Sequence, residues 1–141
     1  MLDIYDKNGK HIGTMERNVA HSTDIKGVFH KGVHTWIIND KGEVLVQLRA
    51  KDKRENPNKW DISSAGHVDA GETLIDTCQR ELYEELGIDM PTESFIYQGE
   101  ILGRSGNEFH QLYLLKADVD VKDMKLDPKE VAEVNPVYCD W

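Results

Sequence analysis

Residues 66–88 read GHVDAGETLIDTCQRELYEELGI, and the rest of the 141-residue chain can be organised around them. From 73 to 86 there is neither proline nor glycine, and Leu74, Ile75, Cys78, Leu82 and Leu86 recur at helical spacing. The spacing predicts a helix over 73–86, closed by Gly87, a residue free to take the left-handed backbone of a helix end. Glu81, Glu84 and Glu85 stand at i, i+3 and i+4, so three carboxylates share one face beside the apolar stripe. Like charges so placed repel by roughly 0.2–0.5 kcal/mol per pair on an exposed helix. They also lie at the helix end that prefers cations. A hard divalent cation would remove the conflict, because Mg²⁺ takes carboxylate oxygens and keeps water and phosphate as its other ligands. The loop 66–71 adds glycines whose backbone can approach such an ion closely. Three glutamates alone fit a solvated acidic face better than a metal cage, so the choice depends on the whole pattern.

That pattern has Gly66, Glu72 after five residues, Arg80-Glu81 after seven more, then Leu82, Glu84-Glu85, Gly87 and Ile88. It resembles the Nudix box, G-x5-E-x7-R-E-U-x-E-E-x-G-U with U a bulky aliphatic residue, and every fixed position is matched. The resemblance implies an α/β fold: a Nudix-type α/β/α sandwich with a mixed sheet. It also implies a hydrolase that cleaves a diphosphate linkage in a nucleoside diphosphate-type substrate, with Mg²⁺ or Mn²⁺, by water attack at phosphorus. Carried over by position, Glu84 and Glu85 are metal ligands, with the Gly66 carbonyl and Glu81 completing the site or orienting water. Arg80 would fix the carboxylates by pairing with Glu72 and Glu81. Relatives take the general base either from the box or from a later loop; Glu81 is the first candidate, followed by Glu108, Glu130 and Glu133.

Working outward, residues 2–17 read as a hairpin about Lys7-Asn8-Gly9-Lys10, since Asn-Gly is a strong turn signal. Such an N-terminal extension, over 1–27, resembles the front of the Nudix branch that includes isopentenyl diphosphate isomerase. In that branch it often packs on a second subunit, which makes a homodimer the expectation. Strands are expected at 28–39, 43–49 and 60–65, with a turn at 40–42. Beyond the box, strands at 95–102 and 108–117 flank a turn at 103–107. A polar stretch covers 118–128 and a last strand 131–138. The whole is expected to form one domain over 1–141, and the resemblance implies a C-terminal helix that the sequence, ending at Trp141, does not reach.

The basic cluster Arg49, Lys51, Lys53 and Arg54 precedes Pro57 and Trp60. A solvated loop would look the same, but the segment RAKDKRENPNKWD resembles the phosphate-contacting segment of the isomerase branch, with Arg49 and Lys53 at the matching positions. An Arg offers phosphate a bidentate fork and a Lys a point charge. Histidines matching His30 and His67 help hold a metal in that branch; His34 and His110 could join them, although a lone strand histidine is more often simply hydrogen-bonded. The isomerase carries a catalytic cysteine where this chain has Ala65, and a key glutamate corresponds to Gln111. A proton-shuttling pair is therefore missing, which disfavours isomerisation. A non-catalytic nucleotide sensor is a third reading, opposed by the intact glutamate set.

Trp36 and Trp60 read as core or as pocket walls able to stack on a ring. Trp141 carries no reading. Cys78 is expected in the core, and Cys78 with Cys139 forms neither a disulfide framework nor a zinc spacing. A formal net charge of −9 argues against general nucleic-acid or membrane binding. No apolar run reaches membrane-spanning length and the N-terminus lacks a signal-peptide layout, so a cytoplasmic protein is expected.

Overall fold

The computed structural model describes residues 1–22, 26–104 and 106–138. Part of the expected 1–27 extension, Ser105 of the expected 103–107 turn, Cys139 and Trp141 lie outside the described residues. Strands β1 (Leu2–Tyr5) and β2 (His11–Met15) form the N-terminal hairpin. Its turn is closed by Asp6, whose Oδ1 accepts from the N–H groups of Asn8 and Lys10 at 2.9 Å each. Gly9 sits at φ 83°, as the Asn-Gly signal requires. The hairpin packs on its own chain: Leu2 bridges Asp69, and Gly71 N–H donates to Asp3. A short helix α1 (Arg17–Ala20), which no sequence signal marked, is capped by Glu16.

The main sheet is mixed and seven-stranded. Its central strands β3 (His30–Ile38) and β8 (Glu108–Lys116) run parallel, while β7 (Phe95–Leu102) pairs antiparallel along the outer side of β8. Strand β4 (Glu43–Arg49) meets β3 only through Ile38 and Val44, then diverges to pair with β9 (Val131–Tyr138) along its other edge.

The expected strand 60–65 is two strands. β5 (Trp60–Asp61) pairs with β4, whereas β6 (Ser64–His67) pairs with β3. Buried Ser63 makes the switch: its Oγ accepts from Ile37 N–H at 2.9 Å and donates to the Leu45 carbonyl. One hydroxyl thus satisfies backbone groups of both strands where they separate, as a buried backbone requires. The gap so opened receives β6.

Helix α2 (Leu74–Leu86) lies over this sheet. Thr73 caps it, accepting from Asp76 N–H at 3.2 Å. Cys78, Leu82 and Leu86 bury against Val33, Ile37, Phe95, Tyr113 and Leu115, so the apolar stripe read from the sequence is the core face. Burial pushes the Cys78 thiol up to about 12, consistent with a core role. Gly87 ends α2 at φ 70°, and a β-carbon there would stand 2.7 Å from Lys125 Cβ and 2.8 Å from the Lys125 carbonyl oxygen. Gly87→Ala is expected to cost about 1–3 kcal/mol through strain and contact. Urea denaturation would show a lowered midpoint; an unchanged one would contradict this placement.

Two expectations fail. Trp36 and Trp60 are 38% and 51% exposed and belong to no core. Thr35 and Ile37 are buried on the α2 side of β3, so strand alternation turns Trp36 to the opposite face. Trp60 lies on the two-residue strand β5 at the end of the main strand order.

Candidate active site

A cleft of about 1220 Å³ opens where β3 and β4 diverge, bounded by β6, α2, α1, the start of β8, the residue 49–56 loop and residues 127–130. The C-terminal half of α2 directs Glu81, Glu84 and Glu85 into it. Glu85 is buried and reaches β6 and β4. Ser64 Oγ donates to its Oε1 at 2.9 Å, Ala65 N–H to the same oxygen at 3.1 Å, and Gln47 Nε2 to Oε2 at 3.1 Å. Burial nevertheless dominates and pushes Glu85 up to about 7. Glu81 is likewise raised to about 7, first by burial and then by the Glu85 charge, against the opposing charge of Arg80. Glu84 is the exposed member of the three.

Arg80 ties these groups to the loop. Its Nε and Nη2 hold Glu72 at 2.7 and 2.9 Å, and its Nη1 donates to Glu81 at 2.9 Å and to Glu84 at 3.2 Å. Nη2 also reaches the His67 carbonyl at 3.3 Å. The Arg80 hydrogen bonds are the main reason Glu72 is lowered to about 2. A bidentate pair of this kind orients as well as attracts.

The Glu81 and Glu85 carboxylates suit a hard divalent cation, and the glycine position supports that fit. A β-carbon at Gly66 would fall within the Glu81 carboxylate, so the space against this backbone is reserved for a charged oxygen.

A second group adjoins the first. Among the described residues, His21, His30, His67 and Glu108 place four potential ligand atoms within 4.8 Å of one another. His21 Nε2 and His67 Nε2 are 2.7 Å apart. His30 is buried with neither ring nitrogen hydrogen-bonded, and its Nε2 stands 3.5 Å from Glu108 Oε2. Burial holds His67 down at about 4, so it is neutral at physiological pH. Burial also pushes Glu108 up, but the surrounding histidines outweigh it and keep the carboxyl well below its ordinary range. Imidazole nitrogens around a carboxylate suit a metal ion.

The family model described as NUDIX domain matches residues 28–141. The chain belongs to the NUDIX family. Nudix hydrolase 3 of Arabidopsis thaliana is 35% identical over 148 residues, covering 96% of this chain but 19% of that protein, so the chain spans about a fifth of its length. An uncharacterized Nudix hydrolase of Listeria innocua is 37% identical over 124 residues, with 84% and 72% covered. An isopentenyl-diphosphate Delta-isomerase of Streptomyces griseus is 30% identical over 139 residues, with 94% and 68% covered. Among solved structures, DR0079 from Deinococcus radiodurans superposes with a TM-score of 0.78 at 20% identity, covering 97% of this chain and 82% of that one; this is a likeness of fold.

In this Nudix domain, Glu72 hydrogen-bonds Arg80 beside the cleft, and the other candidates, Arg80, Glu81, Glu84, Glu85, Gly66, Arg49 and Lys53, line it. Arg49 is engaged by the Glu55 and Asn56 carbonyls and stands 3.5 Å from Asp61, and Lys53 pairs with Glu130. Of the candidate bases, Glu108 and Glu130 line the cleft, whereas Glu133 is exposed on β9 outside it. His34 faces His110 with ring centroids 4.1 Å apart, and His110 Nε2 stands 3.6 Å from Glu108 Oε2, so this pair adjoins the four-residue group. His21 was missed. Nothing local marks it, because it follows α1 and lies 46 residues from the His67 it touches.

Proposed function

We propose that this Nudix domain hydrolyses a phosphoanhydride linkage in nucleoside diphosphate-type substrates by water attack at phosphorus. The observation that carries the reading is the trio Glu81, Glu84 and Glu85 directed into one cleft beside Gly66 and braced by Arg80. These three carboxylates and the Gly66 carbonyl would hold Mg²⁺ or Mn²⁺, which supplies charge neutralisation at phosphorus and acidifies water. Arg49 and Lys53 bind the phosphates after giving up their present partners, Arg49 as a fork and Lys53 as a point charge. Arg80 and Glu72 position the carboxylates and do not touch substrate. Glu81 is the first candidate for accepting the proton from water, since a base poised near 7 is matched to neutral pH; Glu108 and Glu130 follow. The group of His21, His30, His67 and Glu108 would take a second cation, and its imidazoles suit a transition ion better than Mg²⁺.

Because Glu81 and Glu85 sit near 7, cation binding must displace protons at lower pH. Mg²⁺ affinity, measured by calorimetry, is expected to rise at least about tenfold between about pH 6 and about pH 8, with proton release to buffer. A flat profile would remove these two carboxylates from the ion's ligands.

The isomerase-named relative and the histidine group favour a second reading, double-bond isomerisation. Against it, Ala65 brings no thiol to the cleft, and Cys78, the free cysteine among the described residues, is buried in the core. A panel of nucleoside diphosphates, nucleoside triphosphates, nucleotide sugars, dinucleotides and isoprenoid diphosphates, followed by phosphorus NMR with Mg²⁺ and with Mn²⁺, separates the readings. New phosphate resonances are expected. An isomerised diphosphate with no phosphate released would favour the isomerase.

A further inference from the structure

We infer that Gln47 and Ser64 are positioning residues for the cation site: they hold Glu85 so that it offers a metal one oxygen, Oε2, which favours Mg²⁺ over Ca²⁺. The inference deepens the hydrolase reading and rests on its assignment of Glu85 as a ligand. Gln47 stands where the strand pattern calls for an apolar side chain. It shares the α2-facing side of β4 with Leu45 and lies opposite Val134 of β9, both of them core residues. Gln47 is only 3% exposed. An amide buried among such neighbours is unfavourable unless its polar atoms are paired. A break in the local pattern of this kind is expected at functional positions.

Gln47 Nε2 donates to the Ser63 carbonyl at 3.0 Å and to Glu85 Oε2 at 3.1 Å. Two acceptors on one nitrogen fix the amide's orientation and use both of its hydrogens. Glu85 is thereby tied to Ser63, the residue at which the sheet divides. Ser64 works on the other oxygen: its Oγ donates to Glu85 Oε1 at 2.9 Å, and Ala65 N–H to the same atom at 3.1 Å. A carboxylate oxygen has about two lone-pair positions, so Oε1 is filled, whereas Oε2 accepts from Gln47 and keeps a position open. Glu85 lines the cleft, but neither Gln47 nor Ser64 is among its described lining residues, so both act through Glu85 and not on substrate. Ligation by one oxygen in a fixed position suits Mg²⁺, which demands a small, near-octahedral shell. Ca²⁺ takes more oxygens, accepts bidentate carboxylates and tolerates a flexible site. A Glu85 released by either donor can turn both oxygens to an ion and loses that distinction.

The test is calorimetry of Mg²⁺ and of Ca²⁺ on chelator-stripped wild type, Gln47→Met and Ser64→Ala. Methionine is an unbranched side chain that fills the space and removes the donor. In each variant Mg²⁺ affinity is expected to fall by about tenfold or more, the usual cost of removing a partner of a metal ligand. Ca²⁺ affinity is expected to fall by less, so the preference for Mg²⁺ narrows. An unchanged Mg²⁺ affinity in either folded variant, or loss of both cations in equal proportion, overturns the inference. Should Gln47→Met fail to fold, Ser64→Ala decides by the same criteria. A role confined to structure would lower the urea midpoint and leave the affinities of the folded protein alone. Because the readout is binding, a wild type that binds Mg²⁺ and hydrolyses nothing defeats the hydrolase reading and leaves this inference standing; a wild type that binds no Mg²⁺ defeats both.

Discussion

Glu85→Gln is expected to lower kcat/KM by at least about 10³-fold, the scale of losing several kcal/mol of charge stabilisation at phosphorus, while the domain stays folded. The substitution conserves shape in a buried site and removes only the charge that would hold the cation. Ser64 Oγ and Ala65 N–H can donate to the new carbonyl, and one hydrogen bond toward Gln47 is lost, at about 1 kcal/mol. A stability signature accompanies the loss of turnover. The folded-state value of about 7 lies above the ordinary 4.5, so ionising Glu85 weakens the metal-free protein as pH rises from about 4.5 to about 7. The variant escapes that cost, on the order of 3 kcal/mol. In urea denaturation with chelator it should match or fall slightly below the wild type near pH 5 and exceed it near pH 8. The difference between proteins is the useful quantity, because His34 and His67, lowered to about 4 chiefly by burial, oppose the glutamate trend across the same pH window. A variant less stable than wild type at pH 8 would contradict the account of Glu85.

Gly66→Ala is expected to reduce kcat/KM by about 10²-fold or more, the cost of misplacing a reacting group by about 1 Å, with little effect on folding. The added methyl would occupy the place of the Glu81 carboxylate. Glu81 is the end of a flexible side chain, so it can swing aside cheaply, and in doing so it leaves Arg80 and the cation site. Activity and stability therefore separate: thermal unfolding within a few degrees of wild type, with turnover largely gone. Retained turnover would mean that Glu81 acts from another position or not at all. Gly32 offers an internal parallel, since a β-carbon there would meet Glu108.

The helix, its cap glycine and the placement of the glutamates were legible because they depend on periodicity within one segment. The pairing of Arg80 with Glu72 was expected only from the resemblance to the Nudix box, not from periodicity or spacing. The split of β5 from β6 was not legible, because it depends on Ser63 contacting two strands that are distant in sequence. His21 escaped for the same cause. The tryptophans misled in another way. Their size suggests burial, but which face of a strand is covered is decided by the elements packed on it, and α2 covers the side of β3 away from Trp36. The alternation along residues 28–39 could be read; the side that α2 would cover could not.

The most direct test of water attack at phosphorus is hydrolysis in H₂¹⁸O with products followed by phosphorus NMR, run on wild type and Glu85→Gln at saturating Mg²⁺. The account predicts one ¹⁸O on a product phosphate, seen as an isotope shift, with no detectable product from the variant. Oxygen label in the organic fragment alone, or undiminished turnover by Glu85→Gln, would contradict it.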